Sequence, residues 1–128
     1  MSQPIDLLIE PRWLIPIEPH GVVLESQAVA VSGGEIAAIL PAQEAQLRFH
    51  PARRVVLPGH VLIPGLVNLH THAAMTLLRG IADDLALMDW LKTRIWPAET
   101  RHVSAAFVRD GTLLACAEML RGGVTCCN

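Results

Sequence analysis

Apolar residues fall into short dense runs over the first half of the chain and into a mixed strand-and-helix pattern over the second. From Ile5 to Ile17 the chain is strongly apolar but interrupted by Pro11 and Pro16. Proline donates nothing to a strand ladder, so this stretch predicts short strands or an edge strand. Val29-Ala30-Val31-Ser32 and Glu35-Ile36-Ala37-Ala38-Ile39 flank Gly33-Gly34. Two glycines between β-prone runs predict a hairpin, because both residues can take positive φ. Pro41 to Leu47 reads as one or two helical turns. Val55-Val56-Leu57 and His60-Val61-Leu62-Ile63, separated by Pro58-Gly59, predict a second pair of short strands. Residues 1–63 are thus expected to form a small β-sandwich.

After Pro64 the period changes. Leu66 to Leu69, apolar but for Asn68, reads as a short strand of the kind buried on both faces in a parallel sheet. Residues 73–83 are mixed and predict a loop. Asp84 is placed to cap a helix through Leu85, Met88, Leu91 and Ile95, closed by Pro97. A longer helix follows, capped by Ser104, with Phe107, Leu114, Ala117 and Leu120 along one face. Gly122-Gly123 ends it, and Val124 to Cys127 begins another strand. Strand, helix, strand is a βαβ unit, whose parallel strands ordinarily need further partners. A β/α barrel needs eight such units and about 250 residues, whereas residues 64–128 supply one. The chain is therefore expected to be the N-terminal, truncated part of a larger α/β enzyme.

Composition narrows the class. The chain has 128 residues, 52% hydrophobic and 17% charged, which marks a core-forming rather than disordered sequence. A net charge of -2 offers no basic field for nucleic acid or acidic lipid. Apart from Arg53-Arg54, which flanks a strand, the arginines are scattered. No apolar run reaches the roughly 20 residues of a membrane helix, and Asp6 and Glu10 interrupt any leader-like pattern. Three cysteines without a Cys-x-x-Cys pair fit reduced thiols in a cytoplasmic protein. Cys126-Cys127 reads as buried strand thiols, with a soft metal site as the alternative.

The chemistry concentrates at Leu62-Ile63-Pro64-Gly65-Leu66-Val67-Asn68-Leu69-His70-Thr71-His72. Side chains alternate along a strand, so His70 and His72 share a side while Thr71 points away. Two neutral imidazoles at a strand's C-terminal tip suit a divalent metal. Catalytic zinc commonly takes three protein ligands and keeps an open position, so this pair is an incomplete site. His20, His50, His60 and His102 lie in turn-like or helix-flanking contexts with no evident ligand partner.

The β-rich leader, the Pro64 to His72 run and the following Met75-Thr76-Leu77-Leu78-Arg79-Gly80 resemble the amidohydrolase superfamily. Ala82-Asp83-Asp84-Leu85 to Trp90-Leu91, then Trp96-Pro97-Ala98-Glu99, is similar to its 5-methylthioadenosine/S-adenosylhomocysteine deaminases. The resemblance implies a small β domain, completed by later chain, followed by the first unit of a metal-dependent (β/α)8 TIM barrel. It implies a divalent metal, zinc foremost, on His70 and His72, with Trp90 beside a bound nucleoside and Glu99 accepting from ribose hydroxyls. It assigns no catalytic acid or base within these residues; those, with two histidines and an aspartate, belong to later strands. The function implied is hydrolytic deamination of a small-molecule nucleoside in the cytoplasm, without nucleic acid or membrane, and with homo-oligomerisation open for a longer protein. Hydrolysis of another aminated or chlorinated heterocycle such as a triazine, and a non-catalytic truncated product, are the alternatives.

Overall fold

The computed structural model describes residues 2–128 and divides into two compact units, one ending at Pro64 and the other spanning Gly65–Asn128. In the first, a β-hairpin forms where the two glycines stand. Strands β1 (Gln3–Leu14), β2 (Leu24–Glu25), β3 (Gln27–Ser32) and β4 (Glu35–Pro41) precede helix α1 (Ala42–Arg48) and strand β5 (Phe49–Leu62). Ser32 pairs with Glu35 across the turn, where Gly33 and Gly34 have φ of 62° and 81°. That left-handed pair is the backbone a two-residue hairpin loop requires. The Asp6 carboxylate accepts from the Gly33 N–H at 2.6 Å and ties the turn to β1.

β1 is one central strand rather than several short ones or an edge. β5 runs parallel along one side of it, and β2 and β3 pair antiparallel with the other. Pro11 stands opposite Leu57 but Trp13 stands opposite Val61, so β5 carries extra residues at that point. This irregularity takes in Pro58-Gly59, expected from the sequence to separate a pair of strands, and lets β5 continue as one.

The core of the unit explains the alternation. On one face Leu8, Ala28, Ala30 and Leu40 pack in a single cluster with Ile5, Phe49 and the buried Ala45 of α1. Alanines at these positions let the short helix approach the sheet closely. The opposite face presents Ile9, Val29, Val31, Ile36 and Ile39, which line an open apolar cavity of about 250 Å³. Among the described residues the unit is one five-stranded sheet with a helix on it, and a second facing sheet of a sandwich is not present.

In the second unit, β6 (Leu66–Asn68) and β7 (Val124–Cys127) pair in parallel, and helices connect them. Residues 73–83, expected as a loop, contain a 3₁₀ helix over Ala73–Leu78. The helix expected from Asp84 starts later: α2 (Leu87–Trp90) has Ala86 at its N-cap. Ala82 is left-handed at φ 51° and its carbonyl takes the Leu85 N–H, so a turn occupies the residues Asp84 would have capped. Pro97 does not close the helix either. A π turn over Leu91–Ile95 leads straight into α3 (Trp96–His102), with Pro97 in its first turn. Proline's missing N–H is tolerated there because the hydrogen-bond ladder has already shifted register.

The last helix, α4 (Ala105–Arg121), begins as expected: Ser104 Oγ accepts from the Phe107 N–H at 3.1 Å. It ends at Gly122-Gly123 before β7. Its packed face differs from the expected one. Gly111 and Ala115 are buried, whereas Leu114 and Leu120 are exposed. The small residues win because α4 packs on the 3₁₀ helix, at a distance that larger side chains would prevent. Leu66 and Val67 of β6, expected to be buried on both faces, are exposed, as are Cys126 and Cys127 of β7. Each strand has a single neighbour among the described residues, which leaves its faces and one edge open.

Candidate metal centre

His70 and His72 follow directly after β6 rather than within it. Asn68 ends the strand: its Oδ1 accepts the His70 N–H at 3.2 Å, an Asx-type turn that competes with further pairing. Its backbone carbonyl accepts from the Asn128 N–H at 3.1 Å, holding the exit of β6 beside that of β7. The two imidazoles nevertheless converge, although strand alternation does not extend to them. Their Nε2 atoms are 3.2 Å apart and their ring centroids 5.1 Å, with the rings tilted by 58°.

That separation suits a shared cation. Two nitrogens at 2.0–2.1 Å from one tetrahedral zinc stand about 3.3 Å apart. Without a cation, the same distance allows one neutral ring to donate to the other. Both rings are exposed on a shallow hollow of about 250 Å³, which Leu69, Thr71 and Asn128 complete. Among the described residues no group of three or more His, Cys, Asp or Glu side chains converges, so the pair is the whole donor set.

His72 also faces a larger cavity of about 550 Å³, walled chiefly by Met75, Leu78, Leu87, Trp90 and Ile95. Trp90 is held in that wall by its indole N–H, which donates to the Ile81 carbonyl at 2.5 Å. The cavity thus joins one imidazole to an aromatic surface across mainly apolar walls, which Thr76, Arg79 and Asp83 interrupt. Glu99 stands apart. It lies half-buried on α3 and does not line the cavity.

Several supports of this centre were not visible in the sequence. Arg79 donates to both oxygens of Glu118 on α4, at 3.0 Å and 2.5 Å. The pairing holds the Glu118 carboxyl below its ordinary range and raises the Arg79 guanidinium. Nothing in a separation of 39 residues marks such a pair in advance. The role of Asn68 did carry a signal, since asparagine after an apolar run is a common strand stop.

The model of the Amidohydrolase family matches residues 61–128, more than half of the chain and all of the histidine segment. The chain belongs to the amidohydrolase family. Within that family it is 47% identical over 123 residues to a 5-methylthioadenosine/S-adenosylhomocysteine deaminase of Saccharophagus degradans, covering 96% of this chain and 28% of the relative. A protein of the same name from Teredinibacter turnerae is 44% identical over 122 residues, 95% of this chain and 28% of its own length. The chain therefore spans little more than a quarter of the curated amidohydrolases it matches. Among solved structures, an adenosine deaminase from Xanthomonas campestris with bound zinc superposes with a TM-score of 0.96 at 60% identity. That match covers 100% of this chain and 29% of the other. A zinc-complexed atrazine chlorohydrolase from Arthrobacter aurescens shares the fold, with a TM-score of 0.79 at 20% identity over 94% of this chain and 28% of its own.

Proposed function

We propose that this chain supplies the first metal ligands and a share of the substrate pocket of a hydrolytic deaminase acting on adenosine-type nucleosides, such as 5-methylthioadenosine and S-adenosylhomocysteine. The observation that carries the reading is the approach of the His70 and His72 Nε2 atoms to 3.2 Å at the end of β6. The relatives' names and the zinc of the neighbouring structures support the substrate class and the metal. His70 and His72 would hold the divalent metal, zinc foremost, as neutral imidazoles. When bound, the metal activates water as a nucleophile near neutral pH.

In the reaction, water oxygen bonds to the ring carbon that carries the exocyclic amine. The C–N bond breaks, ammonia leaves, and a ring carbonyl remains. Trp90 would offer a flat apolar surface beside the base, in a cavity that Met75, Leu78 and Ile95 also line. Glu99 would accept from the ribose hydroxyls, as a carboxylate can accept two O–H donors. Residues 1–63 are assigned to the small β domain, whose open apolar face of Ile9, Val29 and Ile36 suits a second layer, and 64–128 to the start of a (β/α)8 barrel. Two imidazoles do not complete a catalytic site, so the 128 residues alone are expected to be silent.

The test exchanges these residues for the matching stretch of the Saccharophagus degradans deaminase. The chimaera should release ammonia from 5-methylthioadenosine, and its His70→Ala form should lose that activity by several orders of magnitude. Trp90→Ala and Glu99→Gln should raise KM. Activity undiminished by His70→Ala, or ammonia release by the 128-residue chain above its own His70→Ala control, would overturn the reading.

A further inference from the structure

Helix α4 touches the histidine-bearing segment on both sides of the two imidazoles. Gly111 is buried in the middle of α4, and a Cβ there would stand 2.5 Å from the Ala74 carbonyl oxygen and 3.0 Å from its Cα. The backbones of α4 and of the 3₁₀ helix are thus in contact only because position 111 has no side chain. Glycine weakens a helix interior relative to alanine, so its place here is explained by the approach of Ala74 and not by the needs of α4. Ala74 is two residues beyond His72. Two turns further along α4, Glu118 takes both guanidinium bonds from Arg79 at the other end of the 3₁₀ helix. The next residue, Met119, places its Sδ 3.8 Å from Nδ2 of Asn68, the side chain that receives the His70 N–H.

We propose that Gly111 and Glu118 are positioning residues for the metal centre. By gripping Ala73–Leu78 at both ends, α4 fixes how closely His72 approaches His70. The inference rests on the metal reading above for its purpose, but not for its geometry. An added methyl at 111 pushes Ala74 away and carries His72 with it. Loss of the Arg79 pair frees the far end of the same 3₁₀ helix and has the smaller effect, since that pair is exposed.

The test uses the 128-residue chain with isotope-labelled histidines, and two readouts. Nuclear Overhauser cross-peaks between the His70 and His72 rings report their convergence without metal, and Co²⁺ titration reports the binding strength of the pair. The wild type and Leu113→Ala, a change at an exposed α4 position, should show the cross-peaks and bind alike. Gly111→Ala should weaken or lose the cross-peaks and bind Co²⁺ about 10- to 100-fold more weakly. Its helical circular dichroism should not fall, because alanine favours the helix. Glu118→Gln should show a smaller loss of the same kind. Unchanged cross-peaks in Gly111→Ala overturn the inference. If that variant fails to fold, unchanged cross-peaks in Glu118→Gln overturn it instead. Cross-peaks missing from the wild type overturn it outright. Cross-peaks without Co²⁺ binding in the wild type overturn the metal reading alone, and the variants' cross-peaks still decide the positioning.

Discussion

Glu10 is a carboxylate in the middle of β1, only 8% exposed, and it survives there because its partners meet it. Arg54 of β5 donates to both of its oxygens at 2.6 Å and 3.0 Å, and Gln46 of α1 donates at 2.9 Å. Hydrogen bonding to Arg54 outweighs desolvation and lowers the Glu10 pKa below its ordinary 4.5. A carboxylate whose folded pKa is depressed stabilises the fold above its unfolded pKa, and that contribution is lost as pH falls through the folded value. The first unit is therefore expected to lose stability progressively below pH 4.5. Glu10→Gln should flatten that dependence and lower stability at neutral pH by about 1.5–3 kcal/mol. Urea midpoints measured from pH 3 to pH 7 would check both; a parallel pH profile in the variant would exclude Glu10 as the source.

At the scale of elements, the β3–β4 hairpin and the helix run after residue 86 show two ways in which local chemistry meets packing. The hairpin turn is set by Gly33-Gly34, and a register shift between Ala30 and Val31 then brings Val29, Val31, Ile36 and Ile39 to one face. Gly34→Val puts a β-branched residue at φ 81°, a conformation that costs an L-residue about 1–2 kcal/mol. The first unit should lose that amount in denaturant unfolding, while Gly59→Ala, outside the left-handed region, should lose less. Equal losses would show that the turn does not set the register. The helix run reads differently. Pro97 is a sound stop signal on its own, yet the π turn over Leu91–Ile95 absorbs it, with Ile95 packed into the interior behind it.

For the whole molecule, the two units carry different fractions of what holds them. The first has a five-stranded sheet whose central strand is paired on both sides, and a core around Leu8, 1% exposed. The second has a two-stranded sheet and leaves Leu69 and Leu113 79% and 62% exposed. Backbone groups with one neighbour strand and little apolar cover exchange with solvent readily. In the isolated chain, amide hydrogen exchange is expected to be slower in β1, β3 and β5 than in β6 and β7 by at least about tenfold, one decade per 1.4 kcal/mol of opening energy. Equal protection in both units would show that the second closes its own core.

The sequence alone determined what depends on near neighbours in the chain. The Gly33-Gly34 hairpin, the Ser104 cap, the Gly122 stop and the facing pair His70 and His72 all follow from residues within a few positions of one another. Turn φ, capping hydroxyls and strand alternation act over that range, and they can be read directly. Tertiary structure decided what depends on distant partners. It kept β1 and β5 whole through Pro11 and Pro58, because each prolonged strand is braced along its length by the other. It turned Gly111 and Ala115 inward and Leu114 outward, because the nearest surface for α4 is a 3₁₀ helix that comes close only to small residues. It set the Arg79–Glu118 bridge and left Glu99 off the cavity, since neither is specified by spacing. The donor pair was legible because the two histidines are only two positions apart at a strand's exit; what holds it in place was not, because those supports come from a helix some forty residues later in the chain.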